Sequence, residues 1–527
     1  MGLLNFLSTG HPSSRTSRSR VTYPRGMRGW LRNAGVAAGV LGLSMTGLQA
    51  GALPASATPT PAAEQAVSPT LLTWSECSYP SNALCTTITV PRDWVRPSTS
   101  GTYRISVAKV PARDPNRRIG VLMFNPGGPG SAAVSNLSWV LSLLPGVVRD
   151  RFDIVAVDPR GVGGSQPWIR SCSAPQPAPP ATGAVNWLTW SRTFMKANKK
   201  ANRACLKVNR EHADFVGTWQ IVRDLNAVRK ALGERRITFW GMSYGTTIGR
   251  AYAQEFPNRV RALLLDGTIS PVSSIESWAE EHTYDDELAI DTMLASLGSS
   301  YSTAHRRAMR TLETRTVRAP NGSVIDRWRV GRALVAWSSF HTTWGSAAGL
   351  ITAVRDALFA RTSRERSSAA ARAASILGST SATGQSGTLS PQWTYVNCAD
   401  FTDRPNARTL ARLAEQGART GGAGIGMAVL REGAQCAGLP KLGRSLTPMT
   451  APLALRVPPI IANAKGDNRT PWTAAVETQA AFTGSRIVGY AGSHHILYGR
   501  RTDCVNKPIT RYLINRKLPT SDILCPI

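Results

Sequence analysis

The sequence predicts an α/β fold: a mostly parallel sheet covered by helices on both faces, interrupted by a largely helical insertion. Three observations predict it. Short apolar runs rich in β-branched and aromatic residues recur at 119–124, 152–157, 237–240 and 260–265, as strands buried on both faces require. Helical patterns separate them. After Thr218, read as a helix cap, apolar residues fall at Trp219, Val222, Leu225, Val228 and Leu232 before the stop at Gly233, a single stripe at helical spacing. Strand alternating with helix implies crossover connections and hence parallel pairing. From 268 to 447 the pattern changes to alanine-, serine- and arginine-rich helical stretches, and the strand pattern returns only at 458–464.

Taken in order, the chain begins with an address. Arginines at 15, 18, 20, 25, 28 and 32 precede an apolar, uncharged run from Ala34 to Leu48, and Ala55-Ser56-Ala57 offers a cleavage site. Residues 1–57 are therefore expected to be a signal peptide, starting from Met1 or Met27, and the Pro-, Ala- and Thr-rich 58–68 a linker. No apolar segment of membrane-spanning length follows. The α/β part is expected over 69–267 and again over 448–527, with the insertion, 268–447, as a helical cap. It opens with half-buried strands near 86–91 and 103–110, where apolar and polar residues alternate. In the cap, Trp278, Trp328, Trp337, Trp344 and Trp393 read as its core, and 363–386, low in large apolar residues, as a mobile loop.

Composition excludes some functions. Of 527 residues 42% are hydrophobic, enough for a sizeable core. The net charge of +30 comes from 62 basic residues that look scattered along the chain, without zinc-finger spacing or an RNA-binding aromatic motif. A nucleic-acid partner is not expected. An arginine-rich composition is the plain account of the charge; association with an anionic cell envelope is the functional alternative. Eight cysteines agree with export, and sequential pairing (77 with 85, 172 with 205, 398 with 436, 504 with 525) is expected among many connectivities. No Cys or His spacing suits a metal.

The chemistry centres on Gly241-Met242-Ser243-Tyr244-Gly245, set between a strand and a helix. A serine forced into so sharp a turn needs neighbours without Cβ atoms, and strand–turn–helix is the setting of a nucleophile elbow. Upstream, Asn125-Pro126-Gly127-Gly128-Pro129-Gly130-Ser131 ends a buried strand with its amides turned outward, which nominates the Gly128 amide, with that of Tyr244, as an oxyanion hole. Asp158 and Arg160 follow another strand and read as loop braces. Downstream, Asp467 occupies the loop after a strand, where a triad acid belongs, and the last strand delivers His494-His495. Serine, acid, histidine in this order is that of the α/β-hydrolases. Either imidazole serves such a triad. The parts suffice for acyl transfer without metal or organic cofactor.

These motifs, with Asp158-Pro159-Arg160-Gly161, Thr470-Pro471 after Asp467 and the tail from Cys504 to Cys525, resemble the secreted tripeptidyl aminopeptidases of actinobacteria. Those belong to the prolyl-iminopeptidase-like serine peptidases with a TAP-like C-terminal region. The resemblance runs from about Trp74 to the C-terminus and is weakest in the cap. It implies the α/β-hydrolase fold, secretion, and release of short peptides from free N-termini by Ser243, Asp467 and a histidine. In that family the last strand leads into G-x-G-H with Y-G-R beginning three residues later. Gly492 and Tyr498-Gly499-Arg500 match, which implies His495 as catalytic, with His494 standing where the family has its second glycine. Peptide substrates with a free α-ammonium would need carboxylates, for which Glu281, Asp285 and Asp400 are the candidates. A carboxylesterase or lipase shares every catalytic part, and a non-catalytic binding protein of this fold normally lacks one.

Overall fold

Among the described residues, ten strands form one sheet in the order β1-β2-β3-β5-β4-β6-β7-β10-β11-β12. In the computed structural model these are β1 (Ser75–Glu76), β2 (Leu84–Pro91), β3 (Thr102–Val110), β4 (Gly120–Asn125), β5 (Phe152–Val157), β6 (Ile237–Met242) and β7 (Val260–Asp266). After the short hairpin β8 (Val317–Arg318) and β9 (Val324–Ile325) come β10 (Ile460–Ala464), β11 (Arg486–Tyr490) and β12 (Ile523–Cys525). The structure describes residues 72–527 apart from 79–81, 173–176, 178–179, 273, 380–389 and 422, so the expected signal peptide and linker lie outside the described residues. The pairs β1–β2, β2–β3 and β3–β5 are antiparallel; all others in the large sheet are parallel.

Strand alternation decides which side each residue joins. Val121, Met123, Ile237, Phe239, Leu263 and Leu265 enter the core on one face; Leu122, Phe124, Trp240, Met242, Ala262 and Leu264 enter the other. The helices covering the sheet are α1 (Leu137–Leu143), α2 (Gly146–Arg151), α4 (Thr218–Ala231) and α5 (Gly245–Glu255), then α14 (Trp472–Ala480) and α15 (Asp503–Asn515), whereas α3 (Trp187–Asn209) packs against the inserted helix Ala407–Gly421. Between β7 and β10 lie α6 (Ile275–Leu297), α7 (Ser299–Leu312), α8 (Arg327–Ser338), α9 (Trp344–Phe359), α10 (Ser363–Ser379), α11 (Pro391–Asp400), α12 (Ala407–Gly421) and α13 (Ala423–Gly433). Of the tryptophans expected to form the core of this inserted part, Trp337 and Trp344 do so; Trp328 is buried against Trp187, and Trp278, with Trp393 packed on it, joins the core on the sheet instead.

Two local expectations are corrected. Residues 363–379 form a helix instead of a loop, because Ala369, Ala370, Ala373, Ala374 and Leu377 make a buried stripe on which small side chains allow close packing; the remainder, 380–386, is outside the described residues. The cap of α4 is Gly217, with Thr218 its first helical residue, and the carboxylate of Asp400 accepts from the Thr218 amide at 2.9 Å in place of a capping side chain. The four disulfides pair in sequence order, as expected. No helix among the described residues is long and apolar enough to cross a membrane.

Candidate active site

The chain's course reverses at β4, which has β5 on one side and β6 on the other. Ligands collect beyond the carboxyl ends of strands at such a switch point. In the parallel pairing Asn125 stands opposite Gly241, so the loop after β4 and the turn after β6 leave the sheet side by side. At that turn Ser243 has φ 55°, a left-handed conformation that side chains rarely adopt. The glycines flanking it are dictated by space. A Cβ on Gly241 would lie 2.3 Å from the Gly245 carbonyl oxygen, and one on Gly245 would lie 2.5 Å from that of Asn125. The amide of Ser243 donates to the Asp266 carbonyl at 2.9 Å, tying the turn to the end of β7.

The loop after β4 packs directly on this turn. A Cβ on Gly127 would lie 2.8 Å from Ser243 Cβ and 3.1 Å from the Tyr244 amide nitrogen. The Gly127 amide is occupied by Asn125 Oδ1 at 2.9 Å. Among the described residues neither the Gly128 nor the Tyr244 amide donates a hydrogen bond within the protein, which leaves both available to a developing oxyanion. Asp158, as read, is a brace: its buried carboxylate accepts from the amides of Val134 (2.8 Å) and Gly164 (2.9 Å). Arg160 is fully buried, forked onto Asp224 at 2.7 and 2.5 Å.

The two histidines are separated by their partners. His495 Nδ1 donates to Asp467 Oδ2 at 2.8 Å. His494 Nδ1 lies 2.8 and 3.1 Å from the carbonyls of His495 and Ile496. Carbonyls only accept, so that nitrogen carries the proton and the ring is spent on its own loop. Burial, reinforced by Arg501 and Arg500, pushes His494 down to about 4. Burial opposes the charge of Asp467, but His495, the Thr470 hydroxyl at 2.8 Å and the Arg469 amide at 2.9 Å outweigh it and hold its carboxyl below the usual range. His495 abuts the turn after β7: a Cβ on Gly267 would lie 3.2 Å from its Cε1. Ser243 and His495 thus flank the same Asp266–Gly267 corner.

Asp266 was not singled out by the sequence, yet it organises this corner. Its buried carboxylate accepts from the amides of Leu497 (2.8 Å) and Tyr498 (3.0 Å), fixing the loop that carries His495, and burial raises it to about 6. An acid directly after the apolar run Ala262–Leu265 was the available signal.

The three acids proposed for a substrate amine separate. Asp400 is buried, accepting from Thr218 and, at 3.0 Å, from the Tyr244 hydroxyl; it supports the residue after the serine. Glu281 and Asp285 are half-buried on α6. Two acids that were missed are buried more deeply. Asp286 accepts from the Asn468 amide group at 2.6 Å, beside Asp467, and Asn468 contacts the hydroxyl of Ser339, whose carbonyl accepts from the His495 amide at 3.2 Å. Glu432 pairs with Arg431 through Oε1 at 2.8 Å, while its buried Oε2 has no partner among the described residues. Both lie in the field of Arg469, whose guanidinium burial pushes down. The signal for Asp286 was its phase: with Ala279, Thr283, Ile290 and Met293 it falls on the buried stripe of α6.

Comparison with known proteins agrees with this fold. A family model described as the alpha/beta hydrolase fold matches residues 120–500. The chain is 27% identical over 516 residues to the serine protease Hip1 of Mycobacterium tuberculosis, covering 86% of this chain and 90% of that one. It is 26% identical over 485 residues to a tripeptidyl aminopeptidase of Streptomyces lividans, covering 86% of each. A carboxylesterase B of Mycobacterium tuberculosis is 31% identical over 261 residues, 45% of this chain and 48% of that one.

Proposed function

This chain belongs to the alpha/beta hydrolase family, and from that premise we propose that it is an exported serine aminopeptidase that releases short peptides, tripeptides first among them, from free N-termini. The observation that carries this is the Asp467–His495 pair at 2.8 Å, flanking the same corner as a serine held at φ 55°. Ser243 Oγ attacks the scissile carbonyl while His495 Nε2 takes its proton, because Nδ1 is committed to Asp467. The tetrahedral oxyanion is met by the Gly128 and Tyr244 amides. His495 then protonates the leaving amine, and water repeats the cycle on the acyl-enzyme. The inserted helices act as a cap, and their carboxylates receive the substrate ammonium. Asp286 and Glu432, buried beside the triad loop, suit this better than Asp400, with Glu281 and Asp285 flanking them on α6. Four disulfides support export.

A free-amine requirement is the test. A tripeptide linked to a chromophoric amide should be cleaved, and its N-acetylated form should lose at least about a hundredfold in kcat/KM. The similarity to a carboxylesterase favours a second reading, hydrolysis of short acyl esters. Equal cleavage of blocked and free amides, or turnover of esters alone, would establish that reading instead. Failure of a fluorophosphonate to label Ser243 in the open site would point to a binding protein.

A further inference from the structure

Helix α3 presents a surface that peptide hydrolysis does not use. From Trp187 to Asn209 it contains no Asp or Glu but has Arg192, Lys196, Lys199, Lys200, Arg203 and Lys207, with Arg210 at its C-terminal cap. The basic residues look scattered in the sequence; the helix lines these up. At about 100° and about 1.5 Å per residue, the six fall within an arc of about 100° and along about 22 Å of axis. All six are exposed. Among the described residues none of them is in an ion pair.

The opposite face fixes the helix. Ser191, Phe194, Asn198, Cys205 and Asn209 are buried. The Asn202 amide group donates to the carbonyls of Gln435 and Ala437 at 2.9 Å each, and Cys205 is joined to Cys172. The cations are therefore held in line before any partner arrives, so binding orders little more than their side chains. Uncompensated like charges at this density raise the potential along the helix and attract a chain of anions. A bilayer would also require apolar side chains on the same face. Val208 is the one strongly exposed large apolar residue described on α3, and the indole of Trp190 is turned inward onto Met427.

We propose that the outer face of α3 docks this protein onto a linear polyanionic polymer of the cell envelope, a chain bearing phosphate or carboxylate groups. The docking builds on the reading of export but not on the triad, and it is measured without catalysis.

Long-chain inorganic polyphosphate, immobilised, is the probe for the intact disulfide-bonded protein. One variant combines Lys196→Glu, Lys200→Glu, Arg203→Glu and Lys207→Glu. The control combines Arg306→Glu, Arg310→Glu, Arg361→Glu and Arg364→Glu, exposed on the inserted part, and has the same net charge. The α3 variant should lose at least about tenfold in affinity at low ionic strength, the control less than about threefold, and added salt should weaken the wild-type complex. An unchanged circular-dichroism spectrum and melting temperature in both variants establish that they fold. Equal losses in the two variants would overturn the proposal in favour of bulk charge. Absence of wild-type binding would overturn it outright. Binding to phosphatidylglycerol vesicles but not to polyphosphate would replace it with a membrane surface.

Discussion

Ser243 in its left-handed turn is the most constrained catalytic candidate in the chain, and its removal is the first expectation. Ser243→Ala should lower kcat/KM by at least about 10⁴-fold and abolish fluorophosphonate labelling, with the melting temperature little changed. His495→Ala should lose a similar factor, whereas His494→Ala should stay within about tenfold, read as kcat/KM on the same amide. The serine and the acid were legible because each sits in a motif bound to a strand end. For the histidine only the family resemblance pointed to His495; the residues themselves left both open, because two adjacent imidazoles on a loop differ in what their Nδ1 atoms meet, and that depends on the left-handed Ile496 and on Asp266 gripping the next two amides. Asp400 supplies a pH test. Burial raises its carboxyl to about 6 from 3.8, so the fold favours the protonated form. That contribution is complete below about pH 4 and is lost as pH rises through 6. The wild type should therefore lose stability relative to Asp400→Asn over this window, by up to about 3 kcal/mol, as followed by denaturant unfolding at both ends.

At the level of elements, the loop after β4 and the elbow form one packed unit. Gly127 has φ 97°, and a Cβ there would lie 2.6 Å from the Met242 carbonyl oxygen. Gly127→Ala should displace the loop and lower kcat by about 10²- to 10³-fold with smaller change in KM, the signature of a damaged oxyanion hole. The sheet was readable strand by strand, since each buried strand is a largely apolar run between turn residues. Helix α10 was not: alanine is too small to register as a core residue, and its stripe acquires meaning only against α9. The start of α4 misled for a related reason. Thr218 has the chemistry of a cap, but Asp400, 182 residues further on, delivers a stronger acceptor to the same amide.

On the scale of the whole molecule, cross-links and charge act together. Each disulfide limits the unfolded chain, and replacing Cys398 and Cys436 by serine should cost about 2–5 kcal/mol, measured by urea unfolding; it also frees the end of α11 that carries Asp400. Charge of +30 works the other way, through self-repulsion. Which basic residues line up could not be read from their count, because a stripe on α3 becomes visible only when residues 187–209 are known to be one helix. The pairing of the cysteines has one more consequence. Every bond joins a cysteine to its next neighbour along the chain, at separations of 8, 33, 38 and 21 residues. A polypeptide threaded through a translocation pore amino end first would present each thiol to its correct mate before a competitor had appeared. Its covalent frame would then close in order of emergence, with no wrong link to reshuffle.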